Sequence, residues 1–317
     1  MRIQGFLLLA WALSACASAP VQSRTPTQAV VPVATEVAAQ RPLPVWSVES
    51  PEGRMSHVLG TFHLGVRFAE VLPEPHTRAL DEARVLMVEI DLTRADMRAI
   101  AEFMQLPPRQ DLSVILGAEL WPLLVQRLGS LPEPALRRLA PWAVMAMLTA
   151  AEARALETER GGEGSQQQAS SLDFTVTLRA NDRRIPVVAL ETVEEQGAMM
   201  NALPLESVVE YIGAALTGAP SEQPTIRELM DAYLRGDQAK LESLVFDPDE
   251  IARSPEVFEA LYYARNERWL DRVEAELSQG GAFVAVGLAH VIGERGLLRL
   301  LEARGYRATR LFAPQER

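Results

Sequence analysis

Short, uniformly apolar runs alternate along this chain with longer stretches of helical period. From Pro44 onward, "PVWSVES" and "MSHVLGT" predict two strands joined by "PEGR", a hairpin with Gly53 in its turn. "EPHTRALDEAR" (74–84) predicts a helix, and "VLMVEID" a buried strand after it. Strand, helix and strand with a short crossover argue for a parallel pair. "TRADMRAIAEFM" predicts a helix opened by a Thr93-x-x-Asp96 variant of the capping box. Residues 111–158 read as helix with proline breaks at 122, 132, 134 and 141, and "GGEGSQQQASS" (161–171) as a low-complexity mobile loop. The helix "LDFTVTLRAN" precedes the strand "IPVVALE", after which Thr192 and Glu195 form a capping box. Residues 203–278 are again helical in pattern. "GAFVAVGLAH" is the last buried strand, and the tail reads as a helix followed by an edge strand. The pattern predicts an α/β (α+β) fold, a mainly parallel central sheet with a large helical insertion, over residues 43–312.

The first residues do not follow this pattern. "MRIQGFLLLAWALSAC" has one positive charge near its start, a short apolar run and then small residues, which reads as a secretory signal. The run is too short to span a bilayer. Leu13-Ser14-Ala15-Cys16 resembles the lipobox of bacterial lipoproteins, in which the cysteine becomes the lipidated N-terminus. Cys16 is the only cysteine of the chain, so no disulfide framework competes for it. The expected division is a signal peptide at 1–16, a Pro/Ala/Thr-rich tether at 17–42, and a folded body beyond. Ala17 stands where a retention signal would place Asp, which points to the periplasmic side of the outer membrane. The membrane is then a partner through the anchor.

Composition narrows the function further. With 48% hydrophobic and 23% charged residues the chain has the balance of a globular protein. Thirty-one Lys and Arg stand against 42 Asp and Glu, a net charge of −11, with no basic patch; nucleic acid is excluded as a partner.

The candidate chemistry lies where the buried strands end. "HVLGTFHLG" and "VAVGLAHVIG" share one skeleton, an apolar run followed by Gly-x-x-His, in a chain with only four histidines. They deliver His63 and His290; "VLMVEI" delivers Glu89 and "VVALE" delivers Glu191. In open parallel sheets ligands bind outside the carboxyl ends of the strands, so these four side chains would converge at one edge. "LYYARNERWLDRVEAEL" predicts an amphipathic helix with Asn266 on its apolar stripe and Arg265 at its flank. A buried Asn needs partners, and Arg265 would anchor an anionic or carbonyl group or hold a carboxylate.

Together with "AYLRGDQAKL" and "GERGLLRLLEARGYRATRL", these blocks resemble the TraB/GumN family over nearly all of residues 43–312. That family includes the animal Tiki proteins, described as metal-dependent proteases. The resemblance implies a site built from the two Gly-x-x-His histidines with Glu and Arg, here His63, His290, Glu89, Glu191, Arg265 and Asn266. The Gly/Gln/Ser-rich segment before Leu172 departs from the family. Imidazole with carboxylate suits Zn²⁺, Mn²⁺ or Co²⁺ rather than Ca²⁺. One expectation is a metal-dependent hydrolase acting on a peptide or small molecule. There the two histidines and Glu191 bind the ion, Glu89 is the general base and Arg265 stabilises the oxyanion, although the two glutamates are interchangeable on sequence alone. The competing expectations are a non-catalytic periplasmic lipoprotein that binds a ligand or metal, and a metal-free acid–base site. No HExxH helix is present.

Overall fold

The computed structural model describes residues 41–63, 66–159, 171–218 and 225–313. The expected signal peptide with Cys16, the tether up to residue 40 and the low-complexity segment, apart from Ser171, lie outside them.

Six strands form one sheet: β1 (Pro42–Glu49), β2 (Met55–Thr61), β3 (Val85–Val88), β4 (Val187–Ala189), β5 (Ala282–Gly287) and β6 (Arg307–Phe312), in the order β4-β3-β5-β2-β1-β6. The four strands from β4 to β2 run parallel, while β1 is antiparallel to both β2 and β6, so the sheet is mixed. The hairpin forms as expected, with Gly53 at φ 78° in the turn, a conformation open to glycine. β2 and β3 do run in the same direction, but they are not neighbours. β5, arriving almost 200 residues after β3, inserts between them and pairs with both. Its six residues are all buried, as are the four of β3, because helices cover both faces of a parallel sheet.

β1 begins at Pro42, and Arg41 beside it donates to the carbonyls of Leu234 and Glu70. The folded body therefore takes in the last two residues of the stretch read as tether. Two other local expectations need correction. Asp96 itself caps the helix Met97–Phe103 by accepting from the Arg98 amide, whereas Thr93 is turned back onto the Asp91 carboxylate. In the helix Leu112–Arg127 the break comes at Gly117, φ 72°, and Pro122 continues the helical path. Among the described residues no helix is long and apolar enough to cross a membrane.

Among the described residues, most of the chain between β3 and β4, and again between β4 and β5, is helical. Three of these helices bear on the site: Leu172–Asp182, Val193–Asn201 and Ala264–Leu277. The last follows a wide π-helical turn, Glu259–Tyr263, a distortion found often at functional sites.

Candidate functional site

All four strand-end residues come to the carboxyl edge of the parallel strands and are buried there: His63, Glu89, Glu191 and His290, with Arg265 and Asn266 also buried. Glu89 follows β3 directly, His63 and Glu191 stand two residues beyond β2 and β4, and His290 lies in the turn Leu288–Val291 after β5. The backbone already couples two of them, since the Glu191 amide donates to the Glu89 carbonyl at 3.0 Å.

Arg265 is the hub. Nε donates to Oε2 of Glu191 at 3.1 Å, and Nη2 donates to Oε2 of Glu89 at 2.5 Å and to Oε1 of Glu191. Nη1 donates to the carbonyl of Leu261, in the π-helical turn, and to Nε2 of His290, each at 3.0 Å. A guanidinium has five N–H groups, and here all five have protein acceptors. The ring of Trp269 covers it, with the guanidinium carbon 4.7 Å from the ring centroid. In this arrangement Arg265 holds the two carboxylates, one of the roles expected for it. Burial works against the guanidinium charge, but Glu89 and Glu191 outweigh it and hold its pKa above the usual value.

The bond from Arg265 fixes the tautomer of His290. Nε2 accepts, so Nδ1 carries the proton and donates to Oδ1 of Asn266 at 2.7 Å. Asn266 in turn donates from Nδ2 to the Arg295 carbonyl at 2.9 Å, which sets its amide orientation. Asn266 thus links the His290 imidazole to the Arg295 backbone. Trp269 and Tyr262 pack on the same ring, at 4.6 and 5.4 Å between centroids. Burial, then the charge of Arg265, keep the His290 pKa well below its usual value. Burial also raises that of Glu191, and the neighbouring Glu89 adds to the effect although Arg265 opposes it. Glu89 completes its contacts by accepting from the Gly287 amide at 2.7 Å, and Glu191 by accepting from Gln196 at 3.0 Å.

His63 belongs to a second group. Its Nδ1 lies 2.8 Å from Oδ2 of Asp173, and the other oxygen of that carboxylate accepts from the Thr61 hydroxyl at 2.6 Å. Asp173 is buried on the helix Leu172–Asp182, which Ser171 caps by accepting from the Phe174 amide. The signal that could have found Asp173 is helical and lies outside the strand-end pattern. Asp173 shares the buried face of its helix with Val176, Thr177 and Ala180, as Asn266 shares an apolar stripe.

The glycines of the two Gly-x-x-His motifs join these groups. Gly60 and Gly287 sit on adjacent parallel strands, in register with Val286 and Thr61 respectively. A Cβ at Gly60 would stand 3.1 Å from Cα of Leu288, within the other motif. One at Gly287 would stand 3.1 Å from both Nε2 of His63 and Oε1 of Glu89. Each motif's glycine thus makes room for a residue of the other motif or of its histidine's surroundings. The Tyr233 hydroxyl donates to the Gly60 carbonyl at 2.7 Å and holds the end of β2 in place.

The expected divalent ion can be tested against these donors. By type they fit, since both imidazoles have Nδ1 held by an oxygen acceptor, the arrangement that usually presents Nε2 to a metal. By availability they do not. Arg265 engages Glu89, Glu191 and Nε2 of His290 together, and among the described residues no three His, Cys, Asp or Glu side chains form a group able to hold an ion.

A family model described as the TraB/PrgY/gumN family matches residues 44–310, and the chain belongs to that family. Two curated relatives, both called "Uncharacterized protein YbaP" and found in Shigella flexneri and Escherichia coli (strain K12), are each 26% identical over 266 residues. The match covers 81% of this chain and 92% of theirs. No solved structure matches it.

Proposed function

We propose that this chain is a hydrolase of peptides or small esters or amides, anchored by a lipidated Cys16 at the periplasmic side of the outer membrane. The observation that carries the catalytic part is the buried chain Thr61–Asp173–His63. An aspartate holding Nδ1–H of a histidine fixes the tautomer in which Nε2 is the base, and it stabilises the imidazolium formed when that base takes a proton.

In this reading a water loses its proton to Nε2 of His63 as its oxygen attacks the carbonyl carbon. Nε2 lies beside the position that a side chain at Gly287 would fill, next to Oε1 of Glu89. His63, now protonated at Nε2 and steadied by Asp173, returns that proton to the leaving group. Arg265 keeps the two glutamates in place, and His290, neutral at physiological pH, is held as its acceptor. No step is routed through a metal, because the ligands it would need are taken.

A second reading, a ligand-binding accessory lipoprotein, is favoured by the closure of the arginine network on protein partners alone. One experiment separates the two. The purified protein and its His63→Gln variant are assayed on panels of peptides, esters and amides. The hydrolase reading expects turnover that falls by about 10²–10⁴-fold in the variant, the usual share of general acid–base catalysis. Ligand binding without turnover in either protein favours the accessory reading.

A further inference from the structure

We propose that Arg265 is the resident cation of this centre, its guanidinium standing between Glu89, Glu191 and Nε2 of His290 where a divalent metal would otherwise bind, so that the native protein holds no tightly bound metal there. The proposal concerns what occupies the carboxylates and holds whether or not the chain hydrolyses anything.

Three observations support it. The first is saturation: all five guanidinium donors are used, three of them on the two carboxylates and one on His290. Arg265 is buried, at 2% exposure, and sits against the face of Trp269, so it is not a surface side chain that swung in. The second is permanence. A guanidinium keeps its charge at every pH at which the protein is folded, so no titration clears the site for an ion. The third is pairing. Glu89 and Glu191 both sit on Arg265, so each carboxylate already has a buried cation as its partner. A metal would have to displace Arg265 and leave that cation buried without its partners.

The test compares the full-length protein, extracted in detergent and purified without chelator, with Arg265→Gln and Arg265→Lys. Each is dialysed against Zn²⁺ and, separately, Mn²⁺, then analysed for bound metal and for its melting temperature with and without the ion. The wild type is expected to retain well under one ion per chain and to melt at the same temperature in either condition. Arg265→Gln opens the carboxylates and His290. It is expected to bind roughly one ion per chain, on the order of 10²-fold more tightly than the wild type, and to melt higher when the ion is present. Arg265→Lys keeps the positive charge and is expected to exclude the ion as the wild type does.

If Arg265→Gln does not fold by itself, added Zn²⁺ is expected to restore its structure, as measured by circular dichroism. A wild type that holds a stoichiometric ion overturns the proposal. So does an Arg265→Gln protein that neither binds nor is stabilised by metal, or a lysine variant that admits the ion as readily as glutamine. Turnover by a metal-free wild type would separately sustain the hydrolase reading, and its absence would leave the metal result standing.

Discussion

Gly287 stands directly against His63: a methyl group added at this glycine would lie 3.1 Å from the imidazole Nε2. The glycine opens one Gly-x-x-His motif and the histidine closes the other, and β5 and β2 bring them together as parallel neighbours. The repeated motif is therefore a packing device as much as a source of imidazoles. Each glycine is the gap into which the opposite strand's continuation fits.

Alanine at either glycine should expose this difference. Gly60→Ala clashes with Cδ1 of Leu288 and crowds its Cα at 3.1 Å, and should lose about 1–3 kcal/mol of stability, the usual range for overpacking. Gly287→Ala meets side-chain atoms of His63 and Glu89 that can shift, so it should lose less stability and more activity. Urea unfolding midpoints beside turnover rates check both; equal stability losses with activity preserved in Gly287→Ala would contradict this packing.

Asn266→Leu tests the support behind His290. It removes the acceptor of the buried Nδ1–H and the donor to the part-buried Arg295 carbonyl, leaving both without these partners. Each orphaned group is expected to cost about 1–3 kcal/mol. A denaturation midpoint unchanged from wild type would show that Asn266 holds neither.

The pH dependence of stability follows from His290. Its native pKa is depressed below 6.5, so below that pH the unfolded chain takes up a proton that the native chain refuses. This contribution is whole above about pH 6.5 and is lost as the pH falls, by up to about 1.4 kcal/mol per pH unit. Glu191 is shifted upward and acts with the opposite sign: the native chain holds a proton there that the unfolded chain releases above about pH 4.5, so stability falls as pH rises through the native pKa. Comparing wild type with His290→Gln isolates the histidine, since Glu191 is common to both. Relative to the glutamine variant, the wild type should lose stability steadily from pH 6.5 to 5. Parallel stability curves would contradict a neutral buried His290.

Much of this centre was legible in the sequence because each contributing strand is a short apolar run ending in one polar residue. Buried parallel strands impose that pattern themselves, so His63, Glu89, Glu191 and His290 could be placed at one edge. The capping box at Thr192 and Glu195 was equally local and forms as expected. What escaped was long-range. Nothing in the sequence order of β2 and β3 shows that β5 will part them, and Asp173 reaches His63 across 110 residues from a helix that follows a low-complexity stretch. For Arg265, holding a carboxylate was among the expected roles, but how far it does so was not legible. A sequence shows one cation near two carboxylates, whereas only coordinates show all five donors used.

The anchor has a direct test. Because Cys16 completes the lipobox-like Leu13-Ser14-Ala15-Cys16, a Cys16→Ser protein should no longer partition with outer membranes. Fractionation that leaves the serine variant in the membrane as before would show that lipidation at this residue is not what holds the chain.

The claim that His63 and Asp173 act as one catalytic base is tested most directly by a double-mutant cycle on hydrolysis rate, with His63→Gln, Asp173→Asn and the pair. Residues that work as a unit are strongly non-additive: removing either loses nearly what removing both loses. The expected result is a fall of about 10²–10⁴-fold in each single variant, with little further loss in the double variant and near-native melting in all three. Losses that simply multiply, or an Asp173→Asn protein as active as wild type, would contradict the account.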